Sequence, residues 1–151
     1  MTQETIEEML EKPYWIVDIL PERVPADSPG RYFDIEQYYL DEPRVTELRR
    51  KQLGVILKLY CYYSFTFSFD VGMHWVKNPA PAEIERRLLQ NGLAGSIHIM
   101  IDDGKTMVVL NLDDTYMTVY DPTERVLELL HKLTSAEGLF IWKPRAERIT
   151  G

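Results

Sequence analysis

Three apolar runs, SIHIMI (96–101), TMVVLNL (106–112) and TYMTVY (115–120), follow one another with only a few polar residues between them. Strands joined so tightly cannot run parallel, because a parallel pair needs a crossover of about a dozen residues or more. Asp103-Gly104 has the residue types of a two-residue primed turn, and Asp113-Asp114 separates the second pair of runs. The chain is thereby committed to an antiparallel meander, and the rest must pack around it.

A further strand is written in KLYCYYSFTFSFD (58–70). Val45, Leu48, Leu53, Ile56, Leu57 and Tyr60 recur at helical spacing from Pro43 onward. Near Cys61 the period changes to two: Cys61, Tyr63, Phe65, Phe67 and Phe69 alternate with Tyr62, Ser64, Thr66, Ser68 and Asp70. That pattern predicts a strand with one buried face. YWIVDIL (14–20), between two prolines, and LFIW (139–142) read as the remaining strands.

Helices are expected over 3–11, from Pro43 to Tyr60, and over 82–90, the last ended by Asn91-Gly92. Another is expected after Asp121 as its cap and Pro122 as its first residue, with Val126, Leu129, Leu130 and Leu133 inward and Gly138 terminating it. Residues 31–40 fit either a short helix or an irregular aromatic segment. The stretches 21–30 and 72–81 read as loops. Together these elements predict an α+β fold. Its sheet is a single layer of five or six mostly antiparallel strands, including a C-terminal meander, with the helices on one face. At 151 residues, one domain spanning 1–151 is expected, with a loosely docked N-terminal helix (1–12) and a disordered tail (145–151).

The formal net charge of −7, with 24 acidic against 17 basic residues, disfavours nucleic-acid binding. Arg44, Arg49, Arg50, Lys51 and Lys58 cluster in one helical segment, expected as a solvated face. The acidic N-terminus is unlike a secretory signal and no run is long enough to span a membrane, so a cytosolic location is expected. Cys61, the single cysteine, excludes an intramolecular disulfide and is expected as a small buried hydrophobe.

No catalytic spacing is present. His74, His98 and His131 form no HExxH or HxH pattern, so no metal or cofactor is expected. The pairs Asp102-Asp103 and Asp113-Asp114 fit turns at opposite ends of the sheet. No G-x-S-x-G elbow or glycine-rich phosphate loop occurs. His98 is placed to meet a carboxylate such as Asp18 across strands.

The face opposite the phenylalanines is expected to be exposed and to carry Tyr62, Thr66, His98, Met100, Tyr116 and Tyr120. Tyrosine and methionine are enriched at interfaces. The leading expectation is therefore a small acidic protein that binds another protein through this face. A basic partner suits its charge. The alternative is a small-molecule-binding domain or enzyme with a pocket between the sheet and loops 21–30 and 70–81, lined by Trp15, Asp70, His74 and Trp75. A homodimer through the sheet face or the final strand is a third expectation.

Overall fold

The structure, a computed structural model, describes residues 1–90 and 92–144. The expected tail at 145–151 and the part of Asn91 in ending a helix lie outside the described residues. Five helices and seven strands form among them: α1 (Gln3–Leu10), β1 (Tyr14–Asp18), α2 (Pro29–Leu40), α3 (Arg44–Tyr60), β2 (Phe65–Ser68), β3 (Val76–Lys77), α4 (Pro81–Leu89), β4 (Ser96–Ile101), β5 (Thr106–Asn111), β6 (Met117–Tyr120), α5 (Glu124–Ala136) and β7 (Phe140–Trp142). The fold is α+β, and the strands make one antiparallel sheet in the order β3, β2, β4, β5, β6, β1, β7.

The meander β4, β5, β6 is the centre of the sheet. Ile101 pairs with Thr106, so the first turn has four residues rather than two, with Asp102, Asp103 and Gly104 at φ 53°, 59° and 88°. Aspartate and glycine are the residues that tolerate this left-handed conformation. The strand count exceeds the expected five or six because β3 forms inside the stretch read as a loop. It pairs Val76 with Phe67 and Lys77 with Thr66. Two residues are too few for a visible alternation.

Alternation assigns the two faces of the sheet. Val17, Phe65, Phe67, Ile97, Ile99, Ile101, Val108, Leu110, Met117 and Val119 point to the main core, where they meet Leu53, Ile56 and Leu59 of α3, Ile84 and Leu88 of α4, and Val126, Leu129 and Leu130 of α5. The period change comes later than the alternation suggests, since α3 runs to Tyr60 and residues 61–64 make a turn before β2. Cys61 is consequently exposed, not buried, its thiol donating to the Leu57 carbonyl oxygen at 3.6 Å.

The helices do not all lie on one face. Ile6 and Met9 of α1 pack on the other side of the sheet with Met100, Met107 and Val109, and Trp75 and Tyr120 close around them. The N-terminal helix is thus docked by an apolar patch that the sequence places on a face read as exposed. Gly72 lets the loop after β2 approach it. At φ +84° a side chain is strained, and a Cβ there would lie 2.9 Å from Ile6 Cδ1 and 3.2 Å from Gln3 Cα. Gly72→Ala is expected to cost about 1–2 kcal/mol. Amide exchange in α1 should quicken in the variant and stay unchanged in α3; protection of α1 equal to the wild type would contradict this docking.

Two further departures are local. Helix α5 is capped two residues later than expected: Thr123 Oγ1 accepts from the Val126 amide at 3.3 Å, while Asp121, at φ 51°, donates its amide to the Pro13 carbonyl oxygen at 2.7 Å. Arg49 is not on a solvated face. Only 2% exposed, it donates from Nη1 to Gln52 Oε1 at 2.8 Å and from Nη2 to the Leu112 and Asp114 carbonyl oxygens at 2.6 and 2.9 Å. It ties α3 to the turn between β5 and β6, supplying donors to carbonyls that would otherwise be buried without partners.

Candidate functional site

Helix α1 covers the second sheet face over β4 and β5 but stops short of β6, β1 and β7. There the outward row is Tyr120, Thr118, Ile16, Tyr14 and Trp142, fixed by the pairings Tyr14 with Tyr120, Ile16 with Thr118 and Ile16 with Trp142. Leu20, Glu22, Arg23 and Val24 and, from α2, Tyr32 rise beside this row, together with Leu10, Tyr116 and Pro144. The result is a cleft of about 480 Å³ with the sheet as its floor. Its size and mixed aromatic lining are those of small-molecule sites in general.

Asp18 is the polar group at the end of β1 in this cleft, and it is only 6% exposed. Its Oδ1 accepts from the Ile19 amide at 2.7 Å. Burial nevertheless dominates and pushes its carboxyl up to about 6; the Ile19 and Leu20 amides pull it down, and the negative charge of Glu36 pushes it further up. The tyrosines respond to the same surroundings. Burial, then the charges of Glu36 and Asp18, push the Tyr32 hydroxyl up to about 12. Burial first and then Asp114, Glu36 and Asp18 raise that of Tyr116, while burial and Tyr14 raise that of Tyr120. At neutral pH these hydroxyls stay protonated, offering donors and acceptors around one carboxylate. The rings of Tyr14 and Tyr120 lie 5.6 Å apart at 44°.

The residues singled out in the sequence scatter. Thr66, His98, Met100, Tyr116 and Tyr120 share one sheet face, but Met100 is fully buried beneath α1 and His98 is only 6% exposed, so neither is part of an exposed surface. His98 does not meet Asp18, because β5 and β6 separate their strands. Burial lowers its pKa and keeps it neutral. Tyr62 is exposed, on the turn after α3 rather than on the sheet.

The expected lining of Trp15, Asp70, His74 and Trp75 does not converge. Trp15 points to the helix-covered side, its ring edge-on to His131 at 6.0 Å. Trp75 packs near α1 on the opposite side. Asp70 and His74 belong to the loop leading into β3, at the far edge of the sheet from β1. There Asp70 Oδ1 accepts from the His74 amide and the Ser68 hydroxyl, both at 2.9 Å, and Oδ2 lies 2.6 Å from His74 Nδ1. These bonds, with His74 first, hold the Asp70 carboxyl down at about 2. That geometry is a loop clasp. Among the described residues no three His, Cys, Asp or Glu side chains are grouped as a metal site would require.

Asp18 was legible in the sequence only as the single acid inside an apolar strand, and that was the available signal. Compared with protein-family models, curated proteins and solved structures, the chain matches none. No helix among the described residues is long and apolar enough to cross a membrane.

Proposed function

We propose that this protein is a small-molecule-binding domain whose site is the cleft over β6, β1 and β7. The observation that carries the reading is a buried carboxyl, Asp18, facing an aromatic cleft of about 480 Å³. Burying an acid costs stability without serving the core, and such groups are retained where they recognise something. Loop 20–24 supplies one wall, whereas loop 70–81 takes no part.

Thr118 lies on the floor of the cleft and is half-buried, so Thr118→Trp fills the site from a position that tolerates volume. In a thermal-shift screen of small amphipathic compounds, ligands should raise the melting temperature of the wild type by about 2 °C or more and leave Thr118→Trp unmoved. Equal shifts in both proteins, or no shift from any compound, would overturn the reading.

A second reading, binding of a protein with a basic surface, is supported by α2. This helix turns Phe33 and Tyr38 outward, 58% and 52% exposed, on a chain of net charge −7. Cross-linking in native extract should then concentrate on α2 and disappear in Phe33→Asp. Cross-links spread evenly over the surface would count against it, and sedimentation at two concentrations distinguishes a homodimer.

A further inference from the structure

We infer that the outer face of α2 is the docking surface for a basic amphipathic helix of another protein, whose apolar stripe lies on Ile35, Tyr38 and Tyr39 and whose lysines or arginines meet Asp34, Asp41 and Glu42. This rests on the second reading above, a partner with a basic surface, and names the form which that surface takes.

Helix α2 is turned the opposite way from an ordinary surface helix, which buries its apolar stripe and shows its polar side to water. Tyr32, Glu36 and Leu40, four residues apart, form its inward row; Leu40 is buried and the other two are half-buried. Ile35, Tyr38 and Tyr39 stand three and four residues apart, so they are neighbours on the helix surface, and all three are exposed. A glutamate thus faces the protein while an isoleucine and two tyrosines face water. Large apolar side chains gathered in this way mark a surface that a partner covers.

Charge identifies the partner. Residues 1–43, which precede α3, hold 11 acidic and 3 basic residues, whereas the rest of the chain holds 13 and 14. The negative surplus therefore belongs to α1, α2 and the segments beside them. Asp34, Asp41 and Glu42 are exposed along α2 and at its end, and Arg31 is the one basic residue of the helix. Arg44, the next in the chain, places its guanidinium 3.7 Å from the centre of the Tyr38 ring and donates from Nε to the Tyr38 carbonyl oxygen at 2.6 Å. An apolar stripe beside exposed acids attracts a cationic partner and repels an acidic one. A second copy would set the same carboxylates against each other. DNA, RNA and anionic lipid carry the wrong sign too. A helix suits the surface because its own apolar residues repeat at the same three and four residue steps and pack along such a row.

The test is fluorescence anisotropy with labelled leucine–lysine peptides: one with leucines at helical spacing, one with the same residues scrambled, and one with glutamate for every lysine. The helical basic peptide is expected to bind at least about tenfold more tightly than the scrambled one, and the acidic peptide should show no measurable binding. Raising NaCl from about 50 to about 300 mM should weaken the helical peptide at least about threefold, because exposed charges are screened. Ile35→Ser with Tyr39→Ser, and separately Asp34→Lys with Asp41→Lys, should each weaken it about tenfold or more. Both pairs are exposed, and circular dichroism confirms that each protein folds.

Equal binding of the helical and scrambled peptides would overturn the helix assignment and leave a basic partner of another form. Wild-type affinity in either double variant would remove the contact from α2 and overturn the inference, as would binding by none of the peptides. A dimer in sedimentation that Ile35→Ser with Tyr39→Ser abolishes would give the face to a second copy instead. Cross-linking in extract with Phe33→Asp then judges the basic-partner reading separately.

Discussion

Phe67→Ala should lower the stability of the protein by about 3–5 kcal/mol. The ring is fully buried at the centre of an aromatic stack, 5.7 Å from Phe69, 5.9 Å from Phe65 and 6.4 Å from Tyr60. It sits opposite Ile99 on β4, so the sheet cannot close over the space left behind. The loss combines the transfer free energy of the ring with a cavity that its neighbours fill only partly. For a domain of this size the change corresponds to a fall in melting temperature of about 10 °C or more. Urea unfolding followed by circular dichroism measures it, and a loss below about 1.5 kcal/mol would mean that the aromatic stack repacks. Tyr62→Ala, three residues before Phe65 and exposed, should change stability by less than about 0.5 kcal/mol.

Asp18→Asn is expected to act in the opposite direction on stability. The folded protein holds the Asp18 carboxyl at about 6, above the value near 4 of an unfolded aspartate. A raised pKa means that the folded state favours the protonated form. The associated stability is fully present below about pH 4 and is lost as the pH rises through about 6. Above that the wild type carries the full cost of a buried charge, about 1–2 kcal/mol after local relaxation.

Asparagine keeps the shape and can still accept from the Ile19 amide, yet has no charge to bury. The difference between variant and wild type should therefore be near zero at pH 4 and reach its plateau above pH 7. Other carboxylates titrate alike in both proteins and cancel. Unfolding at pH 4 and pH 7.5 decides it: a variant no more stable than the wild type at pH 7.5 would show that Asp18 is compensated in the free protein. A gain of stability at pH 7.5 is the pattern of a group held for recognition rather than for folding.

The fold was largely legible because periodicity is a local property. The alternation from Phe65 to Ser68 and the helical stripe ending at Tyr60 each follow from a side chain's direction relative to its own backbone. Strand β3 was not legible, since two residues carry no period, and its pairing with Phe67 and Thr66 depends on a loop closing in space. The cap at Thr123 was displaced from Asp121 because the Asp121 amide is taken by Pro13, a residue more than a hundred positions earlier.

The candidate site was less legible for the same reason. Tyr14, Ile16 and Asp18 stand two residues apart and so share a face, but nothing local says that β6 and β7 flank them. His98 and Met100 lie on that face too, and only the docking of Ile6 and Met9 covers one part and leaves the other open. Arg49 shows the same limit from the other side: within its helix it reads as one of several surface cations, and its burial depends on carbonyls of a distant turn.

By itself, the sequence determined the antiparallel character of the sheet, the inward and outward sets along each strand, and the absence of any recognisable catalytic spacing, because turn chemistry and side-chain period act over a few residues. Only the tertiary structure decided the strand order, the half of the sheet that α1 covers, and the meeting of Asp18 with Tyr32 and Tyr116. Those depend on which distant apolar surfaces bury each other best, and that competition is resolved over the whole chain.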